Sequence, residues 1–332
     1  MLVLGIESSC DETAAAVVKD GKVVLSNIVF SQIPFHQKFG GVVPEIASRK
    51  HLETIISIVR EALERAGVSL KDIEGIAVTQ GPGLVGSLLV GLSVAKAIAY
   101  VYQMPIVGIN HLEGHISAVY LEYTPKYSFI ALVVSGGHTS LYQVQERGSY
   151  RLLGQTRDDA AGEAFDKVAR LLNLGYPGGV IIDRLSQQGK ADAIQFPRAL
   201  SLKSSHDFSF SGLKTAVLNY LLSLKTFPEP DEIPDIVASF QEAVVDVLIE
   251  KTFQAAGELK CPSIVVTGGV AANTRLREKM EERGKEDGIA VFIPSHNLCT
   301  DNAAMIAVAG NYYLEKGWHA PLSLNALSRW PL

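Results

Sequence analysis

The sequence predicts an internally duplicated α/β protein of two lobes. Three observations carry that reading. Short apolar, β-branched runs alternate with longer helical patterns along the whole chain. The order three strands, helix, strand, helix, strand, helix occurs twice. At 332 residues with 47% apolar content, the chain can bury the cores of two domains.

The first copy opens with strands at 2–7, 14–19 and 22–28. Asp20-Gly21 between the last two is a two-residue hairpin signal. A helix at 44–66, a strand at 75–79, a helix at 84–102, a strand at 105–109 and a helix opening at His111 complete it. The second copy has strands at 129–135, 139–145 and 150–155, a helical region at 162–172 and an insertion at about 175–234. It continues with a helix at 236–256, a strand at 263–267, a helix at 274–285, a strand at 289–293 and a helix at 302–313. The expected lobes are 1–125 with 314–332, and 126–313, enclosing a cleft. The first strand-to-strand turn of each, residues 7–13 and 135–139, should face it.

Composition narrows the function. A net charge of −5 argues against nonspecific adhesion to nucleic acid or membranes, so any nucleic-acid contact needs a local patch or partner proteins. Cys10, Cys261 and Cys299 are odd in number and form no Cys-x-x-Cys, which suits a reducing compartment. The N-terminus enters a strand without the basic and apolar regions of an export signal. The longest apolar stretch, 84–102, carries Gly86, Ser87, Gly91, Ser93 and Lys96, and reads as a packed helix rather than a membrane span. A soluble cytoplasmic protein is expected.

The most informative feature is His111-Leu112-Glu113-Gly114-His115, on the first turn after a strand. Helical positions four apart lie roughly 40° from each other, so both imidazoles share a face. Two neutral imidazoles on one rigid face begin a metal site. A zincin peptidase needs His-Glu-x-x-His; here Leu112 follows His111, and Glu113 points about 200° round the helix. A third ligand must come from elsewhere, and Asp301, at the mirror-related strand-to-helix junction, is the candidate. Its plain alternative is a helix N-cap. Two histidines and one aspartate suit iron and zinc equally.

Glycine turns supply a second kind of site. Ser135-Gly136-Gly137-His138-Thr139 can offer backbone amides and hydroxyls to an anion, or be a simple hairpin. Gly268-Gly269 leaves a strand and precedes a helix, which suits a nucleotide's phosphate or ribose; Asn273 either contacts the ligand or caps the helix. Gly81-Pro82-Gly83-Leu84-Val85-Gly86 has the Gly-x-Gly-x-x-Gly form. It lacks the downstream acid of a dinucleotide site and the Lys-Ser/Thr of a phosphate loop, so it reads as a close-packing turn.

Residues 6–13 (Ile-Glu-Ser-Ser-Cys-Asp-Glu-Thr), the Gly81 turn, His111-x3-His115, Val134-Ser-Gly-Gly-His-Thr139, Phe208-Ser-Phe-Ser-Gly-Leu-Lys214 and Gly268-Gly-Val-Ala-Ala-Asn273 occur in order. Together they closely resemble the universal tRNA threonylcarbamoyltransferase family, whose bacterial members were once described as O-sialoglycoprotein endopeptidases. The resemblance implies an actin/hexokinase/heat-shock-chaperone type (ASKHA) fold. It implies transfer of threonylcarbamoyl from threonylcarbamoyl-adenylate to the N6 amine of adenosine at tRNA position 37, with AMP leaving. It also implies a metal, iron or zinc, on His111, His115 and Asp301. The adenylate, or another nucleotide, would sit on Val133, Val134, Ser135, Gly136, Gly137, Asp166, Gly179, Asp183 and Asn273. Asp11 or Glu12 is a candidate to take the amine's proton; both also fit a solvated turn. The family's bacterial members work with tRNA, a smaller paralogue of the same fold (as a heterodimer) and a small P-loop ATPase, with the 84–102 helix as a docking surface. An ASKHA small-molecule kinase or ATPase is the main alternative, but residues 7–9 are Glu-Ser-Ser where such kinases carry Asp-x-Gly-Ser/Thr. A metallopeptidase and a noncatalytic scaffold are weaker alternatives.

Overall fold

The computed structural model describes residues 1–198, 205–224 and 226–332. β1 (Leu2–Glu7), β2 (Glu12–Lys19) and β3 (Val23–Ser31) form an antiparallel meander. Its second reversal is the predicted hairpin, with φ of 54° at Asp20 and 59° at Gly21. Positive φ at both central positions matches the right-handed strand twist. The chain continues through α1 (Ile33–His36), a 3₁₀ turn (Gln37–Phe39), α2 (Pro44–Ala66), β4 (Gly75–Gly81), α3 (Val85–Tyr102), β5 (Ile106–Asn110) and α4 (His111–Ser117). β4 and β5 add in parallel beside β1, so the sheet order is β3-β2-β1-β4-β5.

The second sheet is built from β6 (Phe129–Val134), β7 (Thr139–Glu146), β8 (Ser149–Gln155), β9 (Ser263–Thr267) and β10 (Ala290–Phe292), in the order β10-β9-β6-β7-β8. Read from the other edge, this is the order of the first sheet. The predicted duplication is present as topology. The helices are α5 (Ala161–Leu171), α6 (Gly178–Ser186), α7 (Ser211–Ser223), α8 (Ile233–Glu258), α9 (Thr274–Asp287), α10 (His296–Cys299) and α11 (Ala303–Glu315). α6 and α7 occupy the predicted insertion, of which 199–204 and 225 lie outside the described residues.

The chain divides into Met1–Thr124 with Pro294–Leu332, and Pro125–Ile293. The expected second lobe ran to residue 313, whereas α11 belongs with the first sheet. Its small side chains explain this. A Cβ on Gly5 of β1 would stand 2.2 Å from the Ala303 carbonyl oxygen, and one on Gly310 would stand 2.2 Å from the Ala77 Cβ. Residues 303–311 are buried throughout.

The Gly81 turn is a packing device, as read. A Cβ on Gly81 would lie 1.9 Å from the Leu327 carbonyl oxygen, and one on Gly83 would lie 2.6 Å from that of Ser9. α3 follows. Among the described residues it is the helix long and apolar enough to cross a bilayer, with mean hydropathy 1.6. Here Gly91 sets it against Ser8, whose Oγ would be 2.4 Å from an added Cβ.

In the second unit, α8 and α9 are joined by charge. Glu242 accepts from Arg275 at 2.7 and 3.0 Å and from Lys279 at 2.7 Å, while Arg198 pairs with Asp246 at 2.9 Å. Burial alone would raise the Glu242 carboxyl, but the two cations hold it down at about 2. A carboxyl depressed in the folded state stabilises above its unfolded value of 4.5 and loses that contribution as pH falls towards 2. Glu242→Gln should therefore cost about 1–2 kcal/mol near neutral pH, after allowance for solvent screening. Denaturant titrations should show the gap to wild type narrowing below about pH 4.5; a gap independent of pH would contradict the ion-pair account.

Candidate functional site

β5 ends at Asn110, whose side chain accepts from the Leu112 amide at 2.9 Å and so starts α4 at His111. This cap sets His111 and His115 one turn apart on the helix. Their rings lie 4.7 Å apart, centre to centre, at 81°. His111 is 6% exposed and His115 is not exposed at all. Asp301 Oδ1 stands 3.1 Å from His115 Nε2 and 3.6 Å from His111 Nε2. One donor atom from each residue falls within 4.8 Å of the other two. The three predicted ligands are thus brought together within the first unit. The capping alternative for Asp301 is corrected: Asn302 caps α11, accepting from the Met305 amide at 3.1 Å, and the Asp301 carboxylate meets His115 instead.

Behind this cluster lies a carboxylate that the sequence reading left without a role. Glu7, at the end of β1, has no solvent exposure. It accepts from the Ser9 amide at 2.6 Å, from Thr79 Oγ1 at 2.6 Å and from His111 Nδ1 at 3.0 Å. Burial would raise its carboxyl, but the adjacent His111 outweighs burial and holds it low. An ionised Glu7 makes Nδ1 the proton-bearing nitrogen of His111 and leaves Nε2 to face Asp301. Burial pulls the His111 imidazolium down, while Asp301 and Glu7 carry it up to about 9. Two carboxylates, Glu7 and Asp301, face the two imidazoles, and a mixed carboxylate and imidazole donor set of this kind suits a divalent cation, which displaces the imidazole proton on binding. Carboxylate-oriented histidine with a second imidazole and an aspartate is a donor set that fits iron or zinc.

Glu113 is engaged elsewhere: its Oε1 accepts from the Tyr313 hydroxyl at 2.7 Å. Asp11 is 8% exposed. Glu12 Oε1 accepts from Ser31 Oγ at 3.1 Å, and burial with the Asp11 and Asp301 charges pushes its carboxyl well above the usual range. The turn carrying both is pinned by His51, whose Nε2 donates to the Cys10 carbonyl at 3.0 Å and whose Nδ1 meets Thr13 Oγ1 at 2.8 Å. His51 gave no sequence signal, being one histidine inside a helical pattern.

The second unit gathers its glycine turns at one place. Val133 and Val134 are the buried end of β6. The following turn closes through Ser135 N to the His138 carbonyl at 2.7 Å and His138 N to Ser135 Oγ at 3.1 Å. A Cβ on Gly162 would lie 2.7 Å from the Ser135 carbonyl oxygen, so the start of α5 presses on this turn. Gly268, at φ 94°, would bring a Cβ within 2.4 Å of the Val134 carbonyl oxygen. These segments converge beyond the C-terminal ends of the parallel strands β6 and β9, where open α/β sheets place ligands. Gly136, Gly137, Gly179 and Gly269 have no neighbour within 4 Å of a would-be side chain.

The remaining predicted residues join this framework from neighbouring helices. Asp166 Oδ1 accepts from the Gly178 amide at 2.7 Å. Asp183 accepts from the Thr274 amide at 3.1 Å and its hydroxyl at 2.9 Å. Asn273 caps α9 through the Leu276 amide at 3.0 Å and donates to Gln241 Oε1 at 2.7 Å. All three brace helix starts around the glycine amides, and Gln241 and Gly162 are partners the sequence reading missed. The Phe208–Lys214 motif is anchored by Asp158, which accepts from the Phe210 amide at 2.8 Å and the Ser211 hydroxyl at 2.8 Å.

Comparison with known proteins follows the same lines. The family model TsaD, tRNA N6-adenosine threonylcarbamoyltransferase, matches residues 23–308. Proteins of that name from Syntrophus aciditrophicus (strain SB) and Geotalea uraniireducens (strain Rf4) are 62% and 58% identical. Each alignment covers 100% of this chain, with 98% and 97% of the relatives. Component A of the Acidaminococcus fermentans (R)-2-hydroxyglutaryl-CoA dehydratase superposes with a TM-score of 0.56 at 19% identity, over 95% of this chain and 99% of that one. That likeness shows the fold alone, which is of the actin/hexokinase kind. With a family match spanning most of its length and relatives aligned end to end, the chain belongs to the tRNA N6-adenosine threonylcarbamoyltransferase family.

Proposed function

We propose that this chain transfers a threonylcarbamoyl group from threonylcarbamoyl-adenylate to the N6 amine of adenosine 37 in tRNAs that read ANN codons. In the reaction the N6–carbonyl bond forms, the carbonyl–phosphate anhydride bond breaks, the amine loses a proton and AMP leaves. Full-length identity with transferases of that name supports the reading, and the Glu7–His111–His115–Asp301 array is the observation that carries its chemistry.

An adenine amine is a weak nucleophile because its lone pair is delocalised into the ring. The acyl donor must be activated, and charge developing on its carbonyl must be stabilised. When bound, iron or zinc on His111, His115 and Asp301 supplies a Lewis acid. The protein's own contribution is positional. The amides of Gly136 and Gly137 neutralise the donor's phosphate, and the helix starts braced by Asp166, Asp183 and Asn273 hold Gly179 and Gly269 open around it. Asp11 or Glu12 receives the amine proton; the half-buried Glu12, beside the Asp11 charge, retains protons to higher pH than an exposed carboxyl.

We propose that the reaction takes place in the cytoplasm, with a smaller paralogue and a small P-loop ATPase as partners. An exposed apolar face on two packed helices supports docking of the paralogue. Leu52 and Ile56 of α2 are 66% and 56% exposed, and Val85 and Leu89 of α3 are 48% and 41% exposed. Such a contiguous face on neighbouring helices suits helix-to-helix docking. Ile56→Glu with Leu89→Glu should abolish co-purification with the paralogue while metal content stays at the wild-type level. Retained complex would contradict this face.

Asp301→Ala should abolish both metal retention and transfer of labelled threonine to tRNA. Glu7→Gln leaves the three ligands in place but weakens the acceptor for His111, so metal affinity should fall about 10–100-fold. Metal analysis by mass spectrometry after graded chelation checks both; full transfer by metal-free Asp301→Ala would overturn the mechanism.

A further inference from the structure

The segment from Gln32 to Val43 joins β3 to α2 and is held from beneath by buried polar groups. Gln32 N donates to the Asp11 carbonyl at 3.0 Å, and Gln32 Nε2 donates to the Ala47 carbonyl at 3.4 Å. His36 bonds Gln32 Oε1 at 3.3 Å through Nε2 and accepts from the Val43 amide at 3.3 Å through Nδ1. Gln32 and His36 have no exposure. What this support presents outward is aromatic. Phe35 and Phe39 are 37% and 52% exposed, although each would gain by burial. Lys50 Nζ lies 4.5 Å from the centre of the Phe35 ring, and Lys38 Nζ lies 5.0 Å from that of Phe39.

Exposed rings interleaved with lysines are the surface on which unpaired bases stack while the cations meet the backbone phosphates. In a chain with a net charge of −5, such a patch is where RNA attraction can be local. Lys50 also pairs with Glu53 at 2.6 Å and Arg49 with Glu45 at 2.6 Å; such surface pairs are weak and yield to phosphate. The segment is one hydrogen bond from the turn that carries Asp11 and Glu12.

We propose that segment 32–43, with Lys50, is the docking surface for the unpaired loop of the RNA substrate. Phe35 and Phe39 stack bases flanking the target adenosine, and Lys38 and Lys50 contact phosphates. This rests on the transferase reading for the identity of the RNA.

The test uses the full chain in the transfer assay. The substrate is an RNA stem–loop with 2-aminopurine beside the target adenosine. Phe39→Ala should raise KM for the RNA roughly tenfold and lose the 2-aminopurine quenching. Its kcat, its KM for threonylcarbamoyl-adenylate and its metal content should stay at wild-type values. Phe39→Leu keeps the apolar bulk without the flat face and should behave like Phe39→Ala, while Phe39→Trp should restore binding. Lys38→Ala should reduce the slope of log affinity against log salt by about one. Wild-type RNA KM and quenching in both Phe39→Ala and Phe39→Leu would overturn the proposal. So would variants that bind RNA normally but lose a protein partner, which would make the patch a protein-docking face. A wild-type chain that quenches through Phe39 yet transfers nothing would overturn the reaction and leave the docking surface standing.

Discussion

The hydrogen bond from His111 Nδ1 to the fully buried Glu7 carboxylate governs the chemistry of the first unit. An ionised carboxylate without solvent is costly unless charge and donors surround it. Glu7 has the Ser9 amide, the Thr79 hydroxyl and the His111 ring. These donors come from the turn after β1, from β4 and from the start of α4 after β5, so the carboxylate ties together the C-terminal ends of three adjacent strands. It also fixes which nitrogen of His111 faces His115 and Asp301. Without Glu7, Nδ1 keeps only the Ser9 hydroxyl at 3.2 Å, which can donate or accept and so does not fix the tautomer, and a loosely oriented imidazole binds metal poorly.

The two copies of the fold share strand order but have taken different chemistry. In the first, the loop after β1 and the helix after β5 bring carboxylates and imidazoles together. In the second, the loop after β6 and the turn after β9 bring glycines together, with open space where side chains would stand at Gly136, Gly137 and Gly269. One arrangement suits a cation and the other suits an anion.

Much of this is legible in the sequence. Asp20-Gly21 announces its own turn because few other pairs tolerate positive φ twice. His111 and His115 announce a shared face by spacing alone. Other features were not legible, for physical reasons. Glu7 reads as a polar residue at a strand end, and only tertiary contact shows that it is buried. Asp301 and Asn302 are equally good caps by residue type, and which one caps is decided by where α11 packs. Sequence order does not say against which sheet a helix of small residues will lie, and α11 lies against the first. α6 went unread because Pro177 and Gly178 look like a turn, although proline suits a position just before a helix and glycine amides suit its start. Asp166 and Asp183 were read as ligand contacts, and the structure gives each a second task, holding the start of another helix.

The most direct measurement of the central claim is X-ray absorption at the metal edge of the purified chain. The account predicts two imidazole nitrogens and carboxylate oxygen at about 2.0–2.2 Å, with no sulfur. A sulfur scatterer near 2.3 Å, or an all-oxygen shell without imidazole, would place the metal elsewhere and contradict the site described above.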